Sequence, residues 1–384
     1  MPNLRRGMMG AAGAGGDATA GKLWRTGKNA QGEVGDGSTT DRNATLVQIG
    51  SDEDWVFQNA GSYSTDQLAS AFFINSSGEL YATGNNTYGE LGLGNTTAFS
   101  APQQVGALTD WSKVACGKSH TLGLKTDGTL WAWGRNNVGQ LGLGSTTDYS
   151  SPVQIGSLTD WSTPNSSYQA NAVLKTDGTL WTWGYGTYGI LGHGNSTTLS
   201  SPAQVGSLTT WNSTAKNMHS VQQAVMATKT DGTLWGWGSF AQGMNGNGTT
   251  TGDADSPIQI GSLTNWSAVR GGHLGMAAIK TDGTIWAWGY AYGGMNGDGT
   301  TTGRSSPVQI GSLTDWSSIR KFSRNLTVGF KTDGTIWGWG AEVPMTGNGY
   351  SSPVQIGDTS EWISGQGAQG GTSGGFIGPG PVTS

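Results

Sequence analysis

The sequence predicts an all-β protein, a seven-bladed β-propeller of ~50-residue, four-stranded repeats, its ring closed by pairing of the N- and C-terminal strands. Three observations predict it: one phrase that returns along the chain, a lattice of tryptophans, and two ends that complement each other. The phrase is clearest at Lys125-Thr126-Asp127-Gly128-Thr129-Leu130-Trp131-Ala132-Trp133-Gly134. Asp-Gly between apolar runs signals a tight hairpin turn, in which both central residues are expected at positive φ. Leu122 and Leu124 lead in, and Leu130, Trp131 and Trp133 lead out as a half-buried strand. The phrase returns at 175–184, 229–238, 280–289 and 331–340, with degenerate copies at 75–84 and 21–27.

Measured between the first aromatics of these copies (Trp24, Tyr81, Trp131, Trp181, Trp235, Trp286 and Trp337), the spacings are 57, 50, 50, 54, 51 and 51 residues. Within one repeat, the strand ending at Gly134 enters a Gly/Asn-rich connection over 136–144. A Ser-Pro-Val-Gln-Ile-Gly segment follows over 151–156, then a Ser-Leu-Thr-Asp turn and a second strand led by Trp161. An apolar strand over 172–174 enters the next hairpin. Four short strands with no helical periodicity make a propeller blade.

The 18 tryptophans all fall at repeat positions, so they are expected between blades, where truncation of one to Ala should cost roughly 3–5 kcal/mol. The chain begins just before an outgoing strand at Leu23 and ends after a Trp362-led strand and a weak last strand near 374–377. Pairing these fragments would complete one blade and remove the open sheet edges. The propeller is therefore assigned to 21–377, with a Gly/Ala-rich arm at 1–20 and a tail at 378–384.

Glycine, 67 of 384 residues, exceeds twice its usual share of roughly 7%, and its periodicity reads as turn chemistry. The single cysteine, Cys116, excludes an intrachain disulfide framework. A net charge of −5 argues against an overall footprint for nucleic acid, and no apolar run reaches a membrane span. The arm has a basic start and a cleavage-like Ala18-Thr19-Ala20, but its middle is too glycine-rich for a signal peptide.

The Leu-Trp-Ala-Trp-Gly strand, the Asn-x-x-Gly-Gln-Leu-Gly-Leu-Gly connection and the Ser-Pro-Val-Gln-Ile segment resemble the regulator of chromosome condensation family of seven-bladed propellers, from residue 21 to about 377. That family includes nucleotide-exchange factors, a plant ultraviolet receptor and enzyme inhibitors, so the resemblance implies a fold more than a task. Exchange factors of the family use an inserted wedge and basic segments; these repeats carry no long insertion, and the balance is acidic. The receptor relies on Gly-Trp-Arg-His-Thr phrases; the matching stretch, Gly117-Lys118-Ser119-His120-Thr121, lacks the tryptophan. The opening of the arm, Arg5-Arg6-Gly7-Met8-Met9-Gly10, looks like the heads of structural proteins of marine bacteriophages. Physically, its glycines allow close backbone approach while Met8 and Met9 fill irregular pockets and Arg5 and Arg6 supply charge, which suits an anchoring peptide docked on other virion proteins.

No catalytic set, metal site or cofactor motif emerges. His120, His193, His219 and His273 sit at unrelated repeat offsets and read as solvent or turn histidines. Asp127, Asp177, Asp231, Asp282 and Asp333 are hairpin residues, and Asp52-Glu53-Asp54 reads as a solvated turn. Asp253 and Asp255 are two calcium-type ligands without the rest of a loop. Gly-rich runs such as 139–144 precede no helix and recur, so they are structural rather than phosphate-binding. Arg320, Lys321 and Arg324 form a basic cluster in a loop. What varies lies in the connections: the segments Trp55 to Asn75 and Trp211 to Lys229 are the longest, and Tyr88, Tyr185, Tyr188, Tyr290 and Tyr292 fall in loops after the Trp-x-Trp-Gly strands. Tyrosine there suits protein or sugar contacts.

The expectation is a non-enzymatic bacteriophage structural protein localised to the virion. The propeller would be displayed as a tail or capsid appendage for a host surface protein or glycan, anchored by 1–20. The alternative is a soluble protein-binding propeller, cytoplasmic or secreted, acting as inhibitor or scaffold.

Overall fold

Each Asp-Gly phrase closes a hairpin, though not by the turn expected. In the computed structural model, which describes residues 20–27, 29–61, 70–214, 217–220, 223–272, 274–321, 326–341, 343, 348–356 and 373–377, Gly128 has φ +79° while Asp127 stays at negative φ. The Gly128 N–H donates to the Lys125 carbonyl (3.1 Å) and the Lys125 N–H to the Thr129 carbonyl (3.0 Å). This is a type I turn followed by a left-handed glycine, the three-residue hairpin solution. The Asp127 carboxylate accepts from the Thr129 hydroxyl (2.7 Å) and backbone N–H (2.9 Å), which lower its pKa. Glycine is also demanded sterically, because a Cβ at Gly128 would overlap the Thr159 carbonyl in the turn of the next repeat.

Six four-stranded antiparallel sheets follow one another, each built of consecutive strands. Blade 1 runs Trp55–Gly61, Ser70–Asn75, Leu80–Gly84, Phe99–Gln104, and blade 2 Trp111–Cys116, His120–Lys125, Leu130–Gly134, Tyr149–Gln154. Blade 3 runs Trp161–Ser166, Ala170–Lys175, Leu180–Gly184, Leu199–Gln204, and blade 4 Met218–Ser220, Ala224–Thr228, Leu234–Ser239, Asp253–Gln259. Blade 5 runs Trp266–Gly271, Gly275–Lys280, Ile285–Gly289, Arg304–Gln309, and blade 6 Trp316–Lys321, Leu326–Lys331, Ile336–Gly340, Tyr350–Gln355. First strands of consecutive blades pack against one another, which puts them innermost. The chain is an all-β propeller of four-stranded blades.

The seventh sheet has three strands among the described residues. Leu23–Gly27 pairs antiparallel with Arg42–Gln48 on one side and Ser373–Ile377 on the other. Leu23, Val34 and Ile49 pack with Trp55, Ala71 and Phe73 of blade 1, and Trp24 packs with Val328, Phe330 and Ile336 of blade 6. Among the described residues six blades are complete where seven were expected; the strand that would complete another, led by Trp362, lies outside the described residues. So do the arm residues Arg5, Arg6, Met8 and Met9 and the tail at 378–384.

The tryptophans occupy the core in a division of labour. Trp133, Trp183, Trp237, Trp288 and Trp339 are fully buried, and the indole of each donates to a loop carbonyl of the preceding blade: Glu90 (2.8 Å), Gln140 (3.1 Å), Ile190 (2.9 Å), Met244 (2.9 Å) and Met295 (3.0 Å). The glycine two residues after each carbonyl, such as Gly142 beneath Trp183, leaves room for the ring. Trp161 stands edge-on to both Trp181 and Trp183, and equivalent trios recur in blades 2, 4, 5 and 6. The hairpin lysine then lies over two indoles, Lys175 at 4.4 Å from the Trp181 ring and 4.9 Å from Trp161.

Candidate functional site

Alternating strand direction gives the propeller two faces. The Asp-Gly hairpins and Ser-Leu-Thr turns share one face and repeat with little change. The turns between first and second strands share the opposite face with the loops after the third strands, and there the repeats diverge.

The divergence has a local cause. In blade 2 the Asn136 amide donates to the carbonyls of Ser145 and Thr147 (3.0 Å each) while its Oδ1 accepts the Leu141 N–H (2.9 Å). The Gln140 side chain accepts from the Val138 N–H (2.9 Å). Asn86 with Glu90, and Asn29 with Glu33, tie their loops in the same way. Burial pushes the carboxyls of Glu33 and Glu90 above the ordinary range. Blades 3, 4 and 5 replace the asparagine with Gly186, Phe240 and Ala291, and the Glu/Gln with Ile190, Met244 and Met295. Freed of both ties, these loops form 3-10 turns whose middle residue is left-handed: Tyr188 (φ 63°), Gln242 (φ 60°) and Gly293 (φ 60°). For a residue with a Cβ that conformation costs about 1–2 kcal/mol.

Four of the five predicted tyrosines fall in these looser loops, and they form two separate pairs. Tyr185 and Tyr188, 42% and 41% exposed, line a cavity of about 230 Å³ between blades 3 and 4. Tyr290 and Tyr292 stack in parallel, centroids 6.3 Å apart, with Tyr292 56% exposed. Tyr88 joins neither: it lies beneath the Arg135 guanidinium, 4.5 Å from ring centre to Cζ. The cavity also takes Tyr168, Gln169 and Thr187 from blade 3 and Gln223 from blade 4. Sequence reading missed Tyr168, Gln169 and Gln223, although an aromatic in the short turn 167–169, on the same face as Tyr185, was an available signal. Lys118, from blade 2, lies over the Tyr168 ring (4.6 Å) and donates to its hydroxyl (2.7 Å).

The other candidates disperse. His120 is buried in a strand rather than in a solvent turn. Its Nε2 lies 2.9 Å from Asn171 Oδ1, and because the Asn171 amide donates to the Gln140 carbonyl (2.7 Å), that oxygen faces the ring and Nε2 carries the proton. Burial holds the imidazole neutral and pulls its pKa down to about 4. His219 is likewise buried in a strand, correcting the same expectation; His193 meets the Thr182 hydroxyl at 2.8 Å, and His273 lies outside the described residues. Glu53 pairs with Lys22 (3.0 Å). Asp253 and Asp255 flank buried Ala254 on an outer strand, and among the described residues no three His, Cys, Asp or Glu side chains gather as metal ligands. Arg320 and Lys321 end the first strand of blade 6; Arg324, and 62–66 within the long first connection, lie outside the described residues. No helix among the described residues is long and apolar enough to cross a membrane.

Comparison with known proteins agrees with this architecture. The family model described as regulator of chromosome condensation (RCC1) repeat matches residues 77–124, 127–163 and 177–221, and a second RCC1 repeat model matches 111–140. The crystal structure of human WBSCR16 is similar at 17% identity and a TM-score of 0.76, covering 94% of this chain and 100% of that one. Prp20p from Saccharomyces cerevisiae, described with its binding to Gsp1p and histones, is similar at 15% identity and a TM-score of 0.77, covering 94% and 92%. Yeast RCC1 (Prp20) bound to Kap60 is similar at 13% identity and a TM-score of 0.76, covering 98% and 96%. At these identities the likeness is one of fold. The stretch 77–221 thus carries RCC1 repeats, set in an all-β propeller of four-stranded blades.

Proposed function

We propose that this chain is a non-catalytic binding propeller, displayed on a bacteriophage virion, that meets its partner through the divergent loops of one face. The observation that carries the reading is the contrast between the faces. The hairpin face repeats nearly unchanged, whereas the other leaves Tyr185, Tyr188, Tyr290 and Tyr292 exposed on loops held by a rigid frame. Large exposed aromatics with a hydroxyl fit recognition better than packing. The frame itself is read as a closed ring of seven blades, the three-stranded terminal sheet being the seventh. Its support is the pairing of Leu23–Gly27 with Ser373–Ile377 and the packing of Leu23 on blade 1 and Trp24 on blade 6.

Attachment is assigned to residues 1–20, whose glycines, Met8, Met9, Arg5 and Arg6 suit a docked peptide. A chain lacking 1–20 should fold with unchanged melting temperature and fail to enter particles; incorporation at the full-length level would refute the anchor. A second reading is a soluble propeller that grips a globular protein, favoured by the description of Prp20p with Gsp1p and histones. A pull-down from host lysate with the arm-less chain separates the two: a stoichiometric protein partner supports the second.

A further inference from the structure

We propose that the cavity beside Tyr185 and Tyr188 binds one neutral sugar ring of a glycan chain; this deepens, and rests on, the reading of that face as a binding surface. Size comes first. Pockets for drug-sized ligands span roughly 300–1,000 Å³, so a cavity of about 230 Å³ accepts a single ring or side chain rather than a larger ligand.

The lining mixes apolar surface, including Ala170 and Ile190, with polar groups, and no lining residue is charged. Among the cavity groups, the Tyr168 hydroxyl is engaged by Lys118 and the Ser167 hydroxyl donates to the Ala170 carbonyl (3.0 Å). That leaves the amides of Gln169 and Gln223, the Thr187 hydroxyl and the phenols of Tyr185 and Tyr188 to face an occupant. These offer both donors and acceptors beside aromatic side chains, which matches a polyol with a C–H face. An aliphatic side chain would leave the amides unpaired on desolvation. An acidic group would look for a cation, and the nearby one, Lys118, already sits on Tyr168.

Tyr188 supplies the second, independent observation. The loop conformation does not need an aromatic there, since Gln242 and Gly293 occupy the same left-handed position in blades 4 and 5. Nor does packing need it, because the ring is 41% exposed. An exposed tyrosine at the cavity mouth that neither the loop conformation nor the packing requires is the kind of feature from which a ligand contact is inferred. The parallel Tyr290–Tyr292 pair on the same face, two blades on, offers another surface along which a longer glycan can lie.

The test uses full-length protein titrated with glucose, galactose, N-acetylglucosamine and their linear oligomers, and with sialyllactose and oligogalacturonate as acidic probes. Binding of at least one neutral series is expected, tighter for oligomers than for monomers. The double variant Tyr185→Ala/Tyr188→Ala should weaken it at least tenfold. Tyr188→Gly, which suits the left-handed backbone and so keeps the fold, should weaken it at least fivefold, while Tyr149→Ala should not change it. Binding of acidic probes alone, binding of none, or wild-type affinity in Tyr188→Gly would overturn the proposal. Virion incorporation is scored separately, so incorporated protein that binds no sugar removes this inference and leaves the display reading, and the reverse result does the opposite.

Discussion

Lys229 and Lys280 show what one missing carboxylate does. Lys125, Lys175 and Lys331 each reach an aspartate of the adjacent turn, Asp110 (3.3 Å), Asp160 (3.4 Å) and Asp315 (3.3 Å). In blades 4 and 5 that position is Thr210 and Asn265, and the ammonium groups settle closer to indole, 3.4 Å from the Trp235 centre and 3.6 Å from Trp286. Burial lowers the pKa of both lysines. Thr210→Asp should therefore stabilise the protein by about 0.5–1 kcal/mol, as a half-exposed ion pair does, with the gain read by urea unfolding and lost in high salt. His120 makes a prediction of its own. Its pKa falls from 6.5 unfolded to about 4 folded, so the unfolded chain takes up a proton that the native state refuses between those values. Its contribution to stability is constant above pH 6.5 and falls by on the order of 3 kcal/mol as pH drops toward 4. The loss between pH 7 and 4.5 should be smaller in His120→Gln; an equal loss would remove this residue from the account. Burial of this histidine was not legible in the sequence, because only the neighbouring blade's Asn171 gives it a partner.

At the scale of elements, one joint recurs between blades: a loop carbonyl that receives one or two donors from the next blade. The Gln140 carbonyl receives Trp183 and Asn171, and the Met295 carbonyl receives Trp339 and Thr327. In blade 5 the residue matching Thr327 is Met276, so the Met244 carbonyl has the Trp288 indole without a second side-chain donor. Trp288→Phe should thus destabilise more than Trp339→Phe, by about 1 kcal/mol, since it strands a buried acceptor. Denaturant midpoints of the two variants check this. The strands and the tryptophan lattice were readable because period-2 alternation and a fixed repeat write them directly. The loop geometry was readable less far. Asp-Gly announced the hairpin but not that glycine alone would be left-handed, and the switch between tied and untied loops required knowing that Asn136 and Gln140 both turn back on their own backbone. For the same reason Tyr88 looked equivalent to Tyr188 in sequence, although one is capped by Arg135 and the other stands open.

At the scale of the molecule, the terminal sheet joins strands from the two ends of the chain. A chain ending before Ser373 loses one of the two partners of Leu23–Gly27, and its melting temperature should fall by roughly 5–10 °C, the response to a loss of several kcal/mol in a protein this size. Removal of 1–19 should leave it unchanged. The pairing of Leu23–Gly27 with a strand near 374–377 was visible in the sequence; the contents of the cavity were not, because Tyr168, Tyr185 and Gln223 come from three connections brought together by the stacking of two blades. A propeller with one uniform face and one divergent face leads to a single directional claim, that ligand meets the loops and not the hairpins. Hydrogen exchange on the full-length protein, with and without the neutral oligosaccharide that binds most tightly, tests it most directly. Protection confined to residues 167–169 and 185–190, extending to 290–294 with longer oligomers, is the predicted result; protection at the hairpins 126–129 and 176–179 with those loops unchanged would contradict it.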